Sequence, residues 1–350
     1  MKRVLLIVIG LIVWLTPCAF GFDEYTTIRG EDFFNDTVQN IAAGDFSLMP
    51  QDILKNIIDT FMNEIRNSKS LIMSVFLIAL ISGVINSASS EEKVSDVAFF
   101  VCFCLMTIAV TKIITVTVGY GTDVINEMST FVTKLAPMLS VLLVTSGYSV
   151  SAASFYPVFS ASVYLICLIA QRCIVPLIYA SCVLGILNNM SGKIHLNNFN
   201  RLVKTITKWI LTGSLTIFTG INAIYGFCTP ALDSVTMKAA KFAVGSMVPV
   251  VGGFVADSIE TIIGGAKLMK NSVGTAGIIV VLVTCFIPLI KVLVIMAVLK
   301  ISSALVEPIG DKRYSDMLME ASDAVTSVFA MMITVSILFI ISIAIIIGVT

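Results

Sequence analysis

From Lys241 to Gly277 the chain reads KFAVGSMVPVVGGFVADSIETIIGGAKLMKNSVGTAG. The stretch is apolar enough to enter a bilayer, yet it carries Asp257, Glu260, Lys267 and Lys270, together with Pro249 and seven glycines. An acidic group in hydrocarbon costs roughly 2.5–3.5 kcal/mol on insertion scales, so such groups face protein or water. Glycine and proline at membrane depth mark close helix packing, or backbone that breaks where neighbours satisfy it. The pattern predicts a broken or re-entrant helical element inside a membrane bundle. Lys270-Asn271, just before Gly274, reads as a turn or helix end.

The composition agrees with a membrane setting. Hydrophobic residues make up 57% and charged residues 13% of the 350, and the mean hydropathy is +0.99. Soluble domains carry about 25% charged residues. Long runs of Leu, Ile, Val, Ala and Met replace the alternating strands of a barrel, so the expected fold is an all-α polytopic helix bundle. Twenty-two bases balance twenty-two acids, which removes an electrostatic case for nucleic-acid binding. Cys102, Cys104, Cys167, Cys173, Cys182 and Cys285 lie in apolar runs without a CxxC pair, and read as small hydrophobes. His195 is the only histidine and has no carboxylate pair at ligand spacing, so neither a metal nor another cofactor is expected. Phosphate-loop, GxSxG and HExxH signatures are absent, so the chain does not read as an enzyme.

Residues 1–21 read as a secretory signal: Lys2 and Arg3, an apolar core from Val4 to Leu15, and small residues before a cleavage after Gly21. Residues 22–69 form an extracytoplasmic segment. Within it Leu54, Ile57, Ile58, Phe61 and Ile65 recur at helical spacing, which predicts an amphipathic helix over 51–66 that rests on the bundle or docks a partner. The transmembrane domain is expected over 70–350, with spans at 70–88, 97–118, 131–150, 209–227 and 324–348. Thr229-Pro230 is expected to end the fourth of these. The run 155–190 would measure about 54 Å as one helix, against a hydrocarbon core of about 30 Å. Gln171, Arg172 and Pro176 interrupt it, so it either turns back as a hairpin or is a long, kinked helix. The run 272–306 is similarly over-long and is interrupted by Pro288 and Lys291. The total comes to seven or eight spans.

The two over-long runs match each other. Cys173-Ile174-Val175-Pro176-Leu177-Ile178 returns as Cys285-Phe286-Ile287-Pro288-Leu289-Ile290, an offset of 112 that also joins Pro137 to Pro249. An internal repeat with units 131–230 and 243–350 follows, the construction used by secondary transporters. The loop 191–208 holds Lys193, Arg201, Lys204 and Lys208 with no acid, and the positive-inside rule makes it cytoplasmic. If each unit crosses an odd number of times the two are inverted, and the acid-rich 303–323 after the second run favours that over parallel units, with both arrangements open. A cleaved signal places residue 22 outside, and one pass per long run then leaves 191–208 outside too. A hairpin in 155–190 removes that conflict.

Asp257 and Glu260 lie about 60° apart around a helix and suit proton-relay or gating work. With Lys270, Asn271 and Lys291 they are the candidate pore or gating residues, unless the acids merely pair with the lysines or cap a half-helix. Pro137, Pro176, Pro249 and Pro288, with Gly252, Gly253, Gly264, Gly274 and Gly277, are the candidates for helix breaks or close packing.

The run Pro249-Val250-Val251-Gly252, then Asp257, Glu260-Thr261, Gly264, Lys270-Asn271, Val273-Gly274 and Gly277, resembles the stage III sporulation protein AE family. So do Glu307-Pro308-Ile309-Gly310-Asp311 and the stretch from Ala136-Pro137-Met138 to Leu187-Asn188-Asn189. The resemblance covers residue 70 to the C-terminus. It implies a multi-pass protein of the mother-cell membrane in endospore formers, required for forespore development. The implied setting is a channel-like, secretion-like complex between mother cell and forespore. The implied partners are other stage III sporulation membrane proteins, a cytoplasmic ATPase and membrane lipid. An autonomous ion- or proton-coupled secondary transporter is the competing expectation from the repeat and the paired acids.

Overall fold

The last apolar run has a helical rhythm that decides the centre of the molecule. Leu318, Ala321, Val325, Val328, Met332, Val335 and Phe339 recur every three or four residues, and each is buried in the computed structural model. That period makes one continuous apolar stripe on a helix. The structure describes residues 92–190, 196–247, 252–308 and 311–348, with isolated positions before them. Side chains are described throughout except at 92–96, 98, 227, 229, 230, 237, 240–247 and 252–260. The signal over 1–21, the 51–66 helix, the span 70–88 and Pro249 lie outside the described residues, apart from isolated positions.

Six helices follow in order: α1 (Glu92–Thr145), α2 (Ser149–Ile169), α3 (Val175–Met190), α4 (Asn197–Met247), α5 (Gly252–Val306) and α6 (Lys312–Gly348). A five-residue π-turn, Ala170–Ile174, joins α2 to α3 in line. Helix α6 is the hub and packs against α1, α3, α4 and α5. Five helical stretches among the described residues are long and apolar enough to cross a membrane: Phe99–Thr145, Ser149–Met190, Asn197–Thr236, Thr261–Val306 and Lys312–Gly348.

Several expected breaks are absent. The spans 97–118 and 131–150 are one helix, α1, which carries Pro137 inside it. The run 155–190 does not turn back. Pro176 offers no N–H to the carbonyl of Arg172, and the π-turn ending at Ile174 takes up that mismatch while the helix continues. Pro288 is likewise inside α5, and α4 continues through Thr229-Pro230 to Met247. Lys270-Asn271 is helix interior, not a turn. The glycines after it do not end α5 because they are contact points. A Cβ on Gly274 would collide with Ile347, and one on Gly277 would lie 2.8 Å from Leu135. Gly264 differs from the expectation in the other direction, since a Cβ there would meet nothing within 4 Å. Gly252 and Gly253 are the first residues of α5.

Helix α1, the continuous α2–α3 run, α4, α5 and α6 alternate in direction, so the bundle has two distinct ends. At one end the start of α1 meets the start of α6, with Phe99 and Tyr314 ring centroids 5.1 Å apart. At that end, too, Ser303 of α5 donates to the Ser315 carbonyl of α6 at 2.9 Å. The end of α3, the start of α4, the end of α5 and the start of α6 therefore lie at the same end, and the α1–α2 turn lies at the opposite one. The two over-long runs point the same way along the bundle. Of the two arrangements left open, the inverted one favoured by loop charge is not what the helices adopt; Glu320 and Asp323 of the acid-rich stretch lie instead against Lys204 of α4.

Candidate functional site

Polar groups inside this apolar bundle are gathered at three levels. The first is the α1–α2 turn. Gly147 takes φ 85°, a left-handed backbone that favours glycine. The Tyr148 amide donates to the Leu143 carbonyl and the Gly147 amide to that of Val144, both at 2.9 Å. This pair of bonds closes the C-terminus of α1. Tyr148 then begins α2 without a capping side chain of its own. The cap comes from far along the sequence: Asp233 of α4 accepts from the Val150 amide at 2.8 Å and the Ser151 amide at 2.9 Å. Asp233 is 1% exposed, and a carboxylate at a helix N-terminus meets both its free N–H groups and the positive end of its dipole. The Tyr225 hydroxyl of α4 donates to the Ser151 carbonyl, completing the joint.

Two α5 lysines converge on the same turn. Lys267 Nζ lies 5.2 Å and Lys270 Nζ 5.4 Å from the Tyr148 ring centroid. Lys270 is 0% exposed. An ammonium over an aromatic face is attracted by the ring quadrupole, and more so where water is excluded. Asn271 Oδ1, beside it, is buried without a hydrogen-bond partner among the described residues. Two of the expected gating residues, Lys270 and Asn271, thus fall at the turn that joins α1, α2 and α4. Asp257 and Glu260 are helical residues in the first turns of α5, but their side chains lie outside the described positions.

The second level is midway along the bundle. Lys291 Nζ sits 5.6 Å from the Tyr120 ring centroid. Gln171 in the π-turn donates through Nε2 to Asn126 Oδ1 at 2.7 Å, joining α1 to the α2–α3 bend. A π-turn is a local under-winding, with extra chain taken into one turn of helix, and it recurs at functional sites. Lys291 is therefore apart from the Lys270 group: along α5 they are 21 residues, about six turns, from each other.

The third level is the end that carries loop 191–196. Lys204 of α4 donates to Glu320 Oε2 and to Asp323 Oδ2 of α6, both at 2.7 Å. Asn200 Nδ2 donates to the same Glu320 oxygen at 2.8 Å, and its Oδ1 accepts from Ser181 of α3, also at 2.8 Å. Gly185 of α3 makes room for this cluster, since a Cβ there would lie 3.0 Å from Glu320 Cβ. Three helices are tied by one continuous chain of bonds.

Asp233, Tyr148 and the Lys204–Glu320–Asp323 group were not singled out by the sequence. Asp233 was legible only as an acid in an otherwise weakly charged run, Lys204 as one of four bases, and Glu320 and Asp323 as part of the acid-rich stretch 303–323.

Comparison with known proteins gives a consistent result. The family model for stage III sporulation protein AE matches residues 33–350. A curated protein of Bacillus subtilis (strain 168), named stage III sporulation protein AE, is 30% identical over 314 residues. That match covers 89% of this chain and 79% of the relative. No solved structure matches. With most of its length matched by the family model and by this relative, the chain belongs to the stage III sporulation protein AE family.

Proposed function

We propose that this chain is a non-enzymatic membrane subunit of the apparatus joining mother cell and forespore during sporulation, seated in the mother-cell membrane. It supplies a transmembrane core or export gate there, and works with other stage III sporulation membrane proteins and a cytoplasmic ATPase. Family membership supports the sporulation role. The observation that carries the gate reading is Lys270, completely buried beside Lys267 at the joint of four helices. A bundle held only by packing has no need of two ammonium groups at one ring, and ionisable groups inside membrane proteins mark paths and moving parts.

The test is paired. Affinity purification of the tagged chain from sporulating cells should recover the other membrane components and the ATPase. Asp257→Asn keeps size and hydrogen-bonding capacity while removing the charge. It should insert and assemble at wild-type levels yet fail to support forespore development. Recovery of the chain alone, together with wild-type sporulation of Asp257→Asn, would defeat the proposal. An autonomous ion- or proton-coupled transporter is the second reading, favoured by Asp123 and Glu127 one turn apart near the middle of α1. Transport by the purified chain alone in liposomes would decide for it.

A further inference from the structure

The outer face of α1 changes character along its length. Ile108 is 65% exposed and Met138 43%, but between them no large apolar side chain of α1 is exposed. The exposed positions there are mostly polar, and Thr115, Asp123, Asn126 and Thr130 fall within about 80° of one another around the helix. Neighbouring helices present hydrocarbon at the same depth. Cys285 packs against Met128 of α1, and Leu282 and Phe286, on either side of Cys285, are exposed. Leu168, three residues before the Gln171 that binds Asn126, is exposed as well. The polar stripe thus interrupts an apolar surface, and does not mark a depth at which the whole bundle stands in water.

Two opposite charges stand beside each other in this region. Asp123 is exposed one turn before Asn126, and Arg172 is exposed directly after Gln171, whose Nε2 donates to Asn126 Oδ1 at 2.7 Å. That bond puts the two charges at about one level. Neither forms an ion pair or a side-chain hydrogen bond among the described residues. Ionisable groups at membrane depth are costly against lipid and are found paired. A patch of one sign would call for an unlike partner, whereas one carrying both signs at a single level is complementary to itself, as a two-fold contact requires. We propose that a second copy of this chain docks on the outer face of α1, with Asp123 of each copy against Arg172 of the other. A two-fold axis along the bundle keeps every residue at its own depth and makes the contact twice. Thr130 Oγ1 already donates to the Asn126 carbonyl at 2.8 Å, and it keeps a lone pair for a donor across the interface. The inference goes beyond the role proposed above and does not depend on it.

The test expresses two differently tagged copies of the full chain in cells that make no other sporulation protein, and recovers one tag through the other from mild detergent. Wild-type copies should recover each other. Asp123→Arg paired with itself, or Arg172→Asp paired with itself, sets like charges face to face and should weaken recovery by about tenfold or more. Asp123→Arg paired with Arg172→Asp presents opposite charges at both contacts and should restore it. A pairing of these charges within one chain gives no such rescue between chains. Should either reversal fail to accumulate, a disulfide decides on the otherwise intact surface. With the exposed Cys173 and Cys228 changed to serine, Thr130→Cys should form an oxidised dimer in membranes, while Ile217→Cys, exposed on α4, should not. Failure of wild-type copies to recover each other, single reversals that pair as well as wild type, or equal cross-linking at 130 and 217 would overturn the docking face. Since no other subunit is present, each of these results leaves the sporulation role to its own test.

Discussion

Asp311 closes the acidic loop 307–311 and starts α6. Its Oδ1 accepts from the Arg313 amide at 2.9 Å, and the Arg313 guanidinium donates to Oδ2 at 3.0 Å. Burial pushes the Asp311 carboxyl upward, but the Arg313 side chain, backbone amide and charge together hold it below its ordinary value. A carboxylate whose folded pKa is depressed stabilises the fold above its unfolded pKa, about 3.9, and loses that contribution as pH falls through the folded value. Asp311→Asn retains an N-capping oxygen and removes only the charge. The variant should melt below the wild type at pH 7, and the gap should close as the pH is taken below about 4. A gap independent of pH would assign the effect to hydrogen-bond geometry. Lys270 supports a different prediction. Lys270→Met keeps an unbranched stem of similar volume, and replacing a buried charge by an apolar group is often neutral or stabilising. The variant should accumulate at or above the wild-type level while sporulation fails; loss of protein instead would make Lys270 a structural residue. Lys270 was legible in the sequence because a lysine between glycines in an apolar run has few structural uses. Tyr148 was not legible, because its role exists only once α5 is laid against the α1–α2 turn.

At the scale of elements, α2 depends on α4 for its beginning. Its first amides have no local acceptor, and Asp233 comes from 82 and 83 positions further along the chain. Asp233→Ala should destabilise the bundle by about 1–2 kcal/mol, as loss of a helix cap does. Asp233→Asn should recover part of that by keeping one acceptor oxygen. Thermal unfolding in a mild detergent would measure both, and equal melting of the alanine variant and wild type would remove the cap from the account. Helix content and the apolar faces were readable from composition and period. The helix ends were less so, for a definite reason. Pro137, Pro176 and Pro288 suggest breaks, but long helices in a packed bundle absorb proline by bending or by a π-turn, since neighbours hold the flanking turns in place. The glycines divided in the same way. Gly274 and Gly277 meet side chains of α6 and α1 while Gly264 meets open space, a distinction set by the neighbours and not by the glycine.

The whole molecule turns on the merging of 97–118 with 131–150. Read as two passes, with 70–88 before them and 155–190 after, they bring the basic loop 191–208 to the outer side of a membrane entered from a cleaved signal. Read as the single helix α1, Glu92–Thr145, they remove one crossing. With a crossing over 70–88, α1 and the α2–α3 run would be the second and third passes, which would put 191–196 and the basic start of α4 in the cytoplasm without any hairpin, as the positive-inside rule expects of its four bases. The antiparallel order of α4 and α5 returns the chain to the same end, so loop 307–311 shares that compartment. A repeat at the 112-residue offset would join two units that each cross twice, and such units would be parallel, not inverted. At 37 to 55 residues, α1, α4, α5 and α6 are about 55–82 Å long, roughly twice the hydrocarbon thickness. Part of the bundle therefore stands outside the bilayer. Single cysteines placed at Ser191 and at Glu307 should both be shielded from an impermeant thiol reagent in intact cells and labelled after permeabilisation. One at Gly147 should be labelled directly. Labelling of Ser191→Cys and Glu307→Cys from opposite sides would restore inverted units and divide α4 or α5 into two passes. Direct labelling of both would keep the parallel order but reverse the orientation, leaving the basic loop to be explained by contact with anionic lipid.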